Sequence, residues 1–381
     1  PPFAKSSGVT AKADFEFADI PEKWITDVTK APRPKAEDVP AWVDWAEYWA
    51  HSVNDAQLSH KEGLLDGGAK APISTNAVTG HFINNYIHSA ADTATNPWLS
   101  MQGLDAQGID FYSTGYLEAY LAALRGAGAK RPIYLHETEG PKNGFVALYC
   151  FAYGASGVSI WRRDHDMPPE QALSLLKTTR AMADEKLQND THPVTDGLAV
   201  MYSLDSMYLS DAQTGSSNYY LTAVQGGVTL LARLQVLYDL YAGRRFEKRG
   251  VPDHVKILFA PGAYAVADGR FQAVRDYVED GGKLLCDREF GRLDRYGRTR
   301  SEEKRAWLEN NDRVIFCSDK ALRDWRRDLG PLTAGDHGAM WWAKPPLPKV
   351  AETLDSAVQQ HAPRTVRYMK GKGELGKRAP G

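Results

Sequence analysis

Three cysteines in 381 residues, Cys150, Cys286 and Cys317, are too few and too widely spaced for a disulfide framework or a structural zinc site. No C-x-x-C pair and no cluster of histidines accompanies them, so no metal is indicated. Each lies in an apolar run, where a free thiol packs as a small hydrophobe. Long hydrophobic runs are absent too: none reaches the roughly 18 residues of a membrane span. The opening stretch PPFAKSSGVTAKADF lacks the basic-then-apolar plan of a signal peptide. The chain therefore reads as soluble, with no membrane partner and with a cytoplasmic location favoured over secretion. Charge of one sign is also missing. A formal net charge of -2 gives no electrostatic case for binding nucleic acid.

Phosphate-cradling motifs are lacking as well. The segment GVPDHVKILFAPGAYAVADG has neither G-x-G-x-x-G nor G-x-x-x-x-G-K-[ST], so no nucleotide cofactor is expected. Cys286, in GGKLLCDREFG, follows a strand-like run but lacks the flanking glycines of a sharp nucleophile elbow. What the chain does hold in number is aromatic residues. Ten Trp and eighteen Tyr are costly to hide completely and often line clefts for ring-shaped ligands, although core and interface filling accounts for most of them.

Residues 1–39 are rich in Pro, Ala, Lys and Asp and form an irregular lead-in. In AWVDWAEYWAHSVNDAQLSHKEGLLDGGA, Trp42, Trp45 and Trp49 recur at helical spacing until Gly67 and Gly68 stop the pattern. Short strand-like runs then alternate with helical stretches: APISTN (71–76), GIDFYSTGY (108–116), RPIYLHE (131–137) and GVSIWRR (157–163). That rhythm predicts an α/β unit over 40–190 with a parallel sheet and helical crossovers. After the linker-like NDTHPVTDG a second series begins: LAVMYS (198–203), KILFAPG (256–262), KLLCD (283–287) and RVIFCS (313–318). Helices at about 221–236 and 268–280 separate them, so a doubly wound domain is expected over 195–335. Residues 336–381, with WWAKPPLPK and RTVRYMKGKGELGKRAPG, read as an extended basic tail.

Parallel barrels collect their chemistry at the C-terminal ends of the strands. Four such ends carry polar or aromatic groups here: Asn76; Asp110, Tyr112 and Tyr116; His136 and Glu137; and Trp161, Arg162, Arg163, Asp164 and His165. A strand-end carboxylate, an Arg that keeps it ionised and a Trp platform are the parts of a retaining glycosidase, in which one carboxylate attacks the anomeric carbon while another donates a proton.

In order and spacing, PISTN, IDFYSTGY, YLHETEG and AYGASGVSIWRRD, followed by VKILFAPGAYAV and VRDYVEDGGKLL, resemble glycoside hydrolase family 42. In that β-galactosidase family a (β/α)8 barrel precedes a trimerisation domain. The resemblance covers roughly 40–290. It implies the C-terminal half of a TIM barrel followed by a flavodoxin-like, trimerisation-type domain. It implies Glu137 as nucleophile after the seventh strand, with Trp161 and Arg162 shaping the sugar site. Asn76 would close the fifth strand, and Asp110 and Tyr112 would flank the sixth. Glu170 would continue the substrate site, although the His expected beyond it is absent, so another β-linked sugar or a polysaccharide fragment stays open beside galactose. His136 fits a structural role, because neighbouring side chains on a strand alternate between faces. Glu139, beside the Gly140–Pro141 turn, fits a solvated carboxylate.

The family supplies its proton donor as a Glu after an Asn on the fourth strand, and no Asn-Glu dipeptide occurs in this chain. The acid/base and the first four strands are therefore expected from an upstream segment or a second chain. A carbohydrate substrate and a homo-trimer are implied, with no cofactor. A catalytically inactive carbohydrate-binding homologue and a structural assembly subunit are the competing readings.

Overall fold

The computed structural model describes residues 34–77, 96–100, 103–111, 117–128, 132–136, 157–160, 169–184, 195, 197–215, 217–234, 236–318, 356, 367–370 and 374–377. After a single 3-10 turn (Ala36–Asp38) the chain enters the long helix α1 (Val39–Asp66). Pro40 sits in the first helical turn, where its missing N–H would have had no partner. The helix stops where the glycines stand. Gly67 N donates to Gly63 O, and Gly68 turns the chain at φ 88°, a conformation that glycine adopts without strain.

Four short parallel strands follow: β1 (Ser74–Ala77), β2 (Ala106–Phe111), β3 (Pro132–His136) and β4 (Gly157–Ile160). They lie side by side in chain order, each hydrogen-bonded to the next. Helices α2 (Pro97–Ser100) and α3 (Leu117–Ala127) fall within the crossovers, and α4 (Pro169–Asp184) follows β4. Consecutive parallel strands need such crossovers, and the alternating rhythm of the sequence reflects them.

The second unit comprises β5 (Leu198–Tyr202), α5 (Leu204–Thr214), α6 (Asn218–Arg233), β6 (Tyr238–Ala242), α7 (Gly243–Arg249), β7 (Ile257–Ala260), α8 (Asp268–Glu279), β8 (Lys283–Asp287), α9 (Glu302–Glu309) and β9 (Val314–Ser318). Its five strands are all parallel, in the order β6-β5-β7-β8-β9. Counted from β5, that is the 2-1-3-4-5 order of a doubly wound sheet. Strand β5 shows why the sequence reads as a continuous apolar run. Leu198, Val200 and Tyr202 join one core, with α5 and α6, while Ala199 and Met201 join another, with Phe246, Phe271, Val274 and Val278. Both faces are covered by helices, so neither set of alternating residues can be polar. Ser203 caps α5 by accepting from Ser206 N, and Gly215 ends it in the left-handed conformation at φ 68°.

Strand β6 is absent from the sequence-based expectation. In YDLYA two Tyr favour a strand while Asp239 disfavours one and no β-branched residue is present, so the local signal is mixed. Its place comes from tertiary contacts instead. Helix α3 lies along this outer strand. Arg125 Nη2 donates to Tyr238 O at 2.8 Å, Arg125 Nε pairs with Asp239 at 3.3 Å, and Trp98 Nε1 donates to Leu240 O at 3.2 Å. A helix over an edge strand protects backbone groups that would otherwise recruit another chain. The same helix contacts β3, so it is enclosed between the two sheets, and Ala119 through Leu124 are all buried.

The two series of elements therefore share a core. Trp42, Trp45 and Ala46 of α1, Trp98, and Tyr120 and Leu121 of α3 belong to the same apolar cluster as Val200, Tyr202 and Leu240. In the stretch expected to be an extended basic tail, β10 (Arg367–Lys370) pairs antiparallel with β11 (Glu374–Lys377). Among the described residues, no helix is long and apolar enough to cross a membrane.

Candidate active site

The register of the first sheet sets which sequence positions reach its C-terminal edge together. Phe111, His136 and Ile160, the last residues of β2, β3 and β4, stand in one row, Phe111 opposite His136 and His136 opposite Ile160. One residue earlier Asp110 stands opposite Leu135, which stands opposite Ser159. Asn76 pairs with Gly108, two residues short of Asp110, because β1 ends level with Ile109. With strands about 4.8 Å apart, the row from β2 to β4 is about 10 Å wide.

In sequence, the residues next after these three strand ends are Tyr112, Glu137 and Trp161, with Arg162 following. All four lie outside the described residues, as do Glu139, Tyr116, Arg163, Asp164 and His165. The described backbone thus brings Asn76 and Asp110 to adjacent strands of one sheet, and it carries the chain to the positions immediately before Glu137 and Trp161. Glu170 is placed apart from that row, as the second residue of α4, and it is exposed.

The second sheet has its own C-terminal edge, and there the side chains are described. A ligand of a doubly wound sheet sits outside this edge, where the strand order reverses between β5 and β7. That place is occupied by the protein itself. Ser203 Oγ and Ser206 Oγ donate to Ala265 O at 2.7 and 2.8 Å, and Ala265 N donates to Ser206 Oγ at 2.9 Å. Asp205 accepts from Ala267 N at 2.8 Å, and Asp287 accepts from Gly262 N at 3.1 Å and from Glu289 N at 3.0 Å. Carboxylates take the amides that a bound phosphate would need. Cys286 is 0% exposed, and burial, with Asp287 beside it, pushes its thiol well above the ordinary range. A thiol so placed stays protonated and is no nucleophile.

The sequence reading missed a charged cluster between α1 and the second unit. Glu47 Oε1 accepts from Arg244 Nη1 at 2.6 Å, and Glu47 Oε2 from Arg295 Nη2 at 2.6 Å. Asp44 accepts from the same Arg295 nitrogen at 3.1 Å and from the Tyr296 hydroxyl at 3.2 Å. Deeper in, Arg270 and Asp205 form a 2.5 Å pair at 4% and 2% exposure. Burial alone would raise the Glu47 carboxyl, but the guanidiniums of Arg295, Arg270 and Arg244 outweigh it and hold it below its usual range. A signal was present in WVDWAEYWAH: carboxylates at 44 and 47 lie between tryptophans at 42, 45 and 49, whereas a solvated helix face would keep its charges away from the apolar stripe.

No protein-family model and no curated protein matches the sequence. Solved structures do. The β-galactosidase from the Antarctic haloarchaeon Halorubrum lacusprofundi superposes with a TM-score of 0.56 at 15% identity, covering 71% of this chain and 45% of that one. The fold is similar to that of GH42 β-galactosidases. A catalytic mutant of Gan42B, a GH42 β-galactosidase from G. stearothermophilus, matches at a TM-score of 0.54 and 11% identity, over 72% of this chain and 46% of that chain. A GH42 exo-carrageenase from Bacteroides ovatus matches at 0.54 and 12% identity, over 84% of this chain and 49% of that chain. At such identities the likeness is one of fold. This chain spans less than half the length of the GH42 structures it matches.

Proposed function

We propose that this chain contributes the nucleophile half of a retaining glycoside hydrolase acting on terminal β-linked sugars, in the manner of a β-galactosidase. The carrying observation is the register of the first sheet, in which β2, β3 and β4 end in one row and Tyr112, Glu137 and Trp161 follow those ends in sequence. The similarity of fold to GH42 enzymes supports the same assignment.

In this reading Glu137 attacks the anomeric carbon and forms a glycosyl-enzyme ester, while a second carboxyl protonates the departing glycosidic oxygen. Water then releases the sugar, with the second carboxyl acting as base. Asn76, Asp110 and Tyr112 hold sugar hydroxyls, Trp161 offers an apolar face for the ring, and Arg162 keeps Glu137 ionised. Glu170 binds at the outer part of the cleft. The second carboxyl comes with the four strands that complete the barrel, supplied by an upstream segment or a second chain. Retention requires the two carboxyl groups to be about 5 to 5.5 Å apart. The second unit, flavodoxin-like and of trimerisation type, packs three copies around the clefts. A galactose-containing polysaccharide end is the alternative to a small galactoside.

Hydrolysis of an aryl β-galactoside by the protein with its barrel complete tests the assignment. Glu137→Gln should lower kcat at least about 1,000-fold, as expected when a covalent nucleophile is removed. Turnover that survives the replacement unchanged would overturn it. Binding of galactosides with no turnover in either form would favour a silent carbohydrate-binding homologue, a reading suggested by the missing Asn-Glu pair.

A further inference from the structure

A cleft opens where the chain enters β7 and β8, at the end of the second sheet opposite its closed C-terminal edge. The end of α7 and the 250–256 loop form one wall, and the last turns of α8 with the 280–283 turn form the other. Its volume is about 890 Å³, within the range of ligand clefts, about 300 to 1,000 Å³. None of the lining residues belongs to the first sheet, so the cleft is independent of the catalytic reading.

Four cations line it: Lys248, Arg249, Lys256 and Lys283. Among the described residues none of them is in an ion pair, and their one side-chain hydrogen bond runs from Lys256 Nζ to Asp253 O at 3.3 Å. Two of the acids in the lining are already engaged, Glu247 with Arg270 at 3.5 Å and Asp276 with Gln272 Nε2 at 2.7 Å. The side chains of Asp253 and Asp280 have no such partner among the described residues. The helix dipole accounts for Lys248 and Arg249, which close α7. It does not account for Lys256, just before β7, or for Lys283, the first residue of β8. At the end of α8, Arg313 Nη1 already donates to Val278 O and Glu279 O, at 3.2 and 3.3 Å, so these carbonyls do not call for a lysine.

Between the charges stands the half-buried Tyr277. A Cβ at Gly282 would come 2.1 Å from Tyr277 Cζ, so the bare glycine is what lets the ring rest on the backbone there. Tyrosine so placed combines an apolar ring with a polar tip, the usual platform for a flat or ring-shaped ligand.

We propose that this cleft binds an acidic saccharide, a short sugar chain bearing sulfate or carboxylate groups. Lys256 and Lys283 hold the anionic substituent, Asp253 and Asp280 accept sugar hydroxyls, and the Tyr277 ring supports the apolar side of a sugar ring. Both signs of charge in one lining select for such a ligand. A DNA strand presents phosphate acceptors and no hydroxyl donors along its backbone, so the carboxylates repel it. A neutral sugar leaves the cations without a partner.

Calorimetric titration of the full chain tests this, with Glu137→Gln present to prevent turnover. The ligands are a sulfated galactose disaccharide, trigalacturonate and neutral galactobiose, the first two separating sulfate from carboxylate as the recognised group. At low salt at least one acidic saccharide should bind about tenfold or more tighter than galactobiose, and adding Lys256→Met and Lys283→Met should remove that advantage. Hydrogen exchange should slow over 250–256 and 276–283 when that saccharide is added. Failure of both acidic saccharides to bind, binding unchanged by the lysine replacements, or equal protection by a DNA oligonucleotide of the same charge would overturn the assignment. If the lysine variant does not fold, the exchange footprint on the chain with both lysines decides: protection over 250–256 and 276–283 supports the site, and protection elsewhere alone refutes it.

Discussion

Gly126 shows how a single missing methyl group lets the two halves of this molecule meet. A Cβ built at this position would stand 1.9 Å from Leu240 O and 2.7 Å from Leu240 C, both backbone atoms of β6. Two effects of Gly126→Ala oppose each other. Alanine favours the interior of a helix over glycine by about 1 kcal/mol. Against this, a backbone carbonyl cannot swing aside as a side chain can, so α3 must move off β6 as a unit. Overpacking of this kind costs about 1 to 3 kcal/mol or more, and the move also lengthens the bond from Arg125 to Tyr238 O. The clash wins. Gly126→Ala should lower the urea midpoint, while Gly63→Ala on α1, with open space around its Cβ, should not. A stabilised Gly126→Ala would show that α3 does not lie against β6.

At the level of elements, the amphipathic pattern made α1 legible from end to end, and its role as a bolt between sheets was not. Trp42 and Trp45 at helical spacing predict a buried stripe, and Gly67 and Gly68 predict its end. The carboxylates on the same helix find their partners more than 190 positions away, a separation that no local pattern encodes. Strand β6 was illegible for a related reason, because its edge is sealed by residues of another unit rather than by its own propensity. The row of strand ends was readable through chain order: Phe111, His136 and Ile160 fall within a few residues of the ends expected from apolar runs and turns. The bolt has a consequence at low pH. The guanidiniums hold the Glu47 carboxyl below its usual range, so its contribution is complete above an ordinary carboxylate pKa and is lost as pH falls through the lowered value. Acid unfolding of the wild type should steepen below about pH 4.5. Glu47→Gln should be less stable at pH 7 and flatter across that acid interval; parallel curves for the two proteins would mean that Glu47 carries no linkage.

For the whole molecule, the question is what the second unit is for. A doubly wound sheet ordinarily offers its C-terminal crevice to a ligand. Here Ser203, Ser206, Asp205 and Asp287 bond to the chain's own loops across that edge, and Cys286 is sealed among apolar neighbours. Helices cover both faces of its sheet, and α3 covers one edge. A C-terminal edge closed by self-contacts leaves no room there for the usual ligand, which favours assembly as the use of this unit. A closed ring of three buries the same two complementary patches on every copy, and on the proposed reading it would also wall the sugar clefts. Sedimentation equilibrium at micromolar concentration should therefore give three times the mass of one protomer with its barrel complete. Charge reversals on the exposed side of α8 and α9 should lower that mass if those helices meet a neighbour, whereas the Glu137→Gln variant should leave it unchanged. A protein that sediments as a monomer at these concentrations would remove the trimer and leave the second unit acting only as the anchor to which α1 and α3 are fastened.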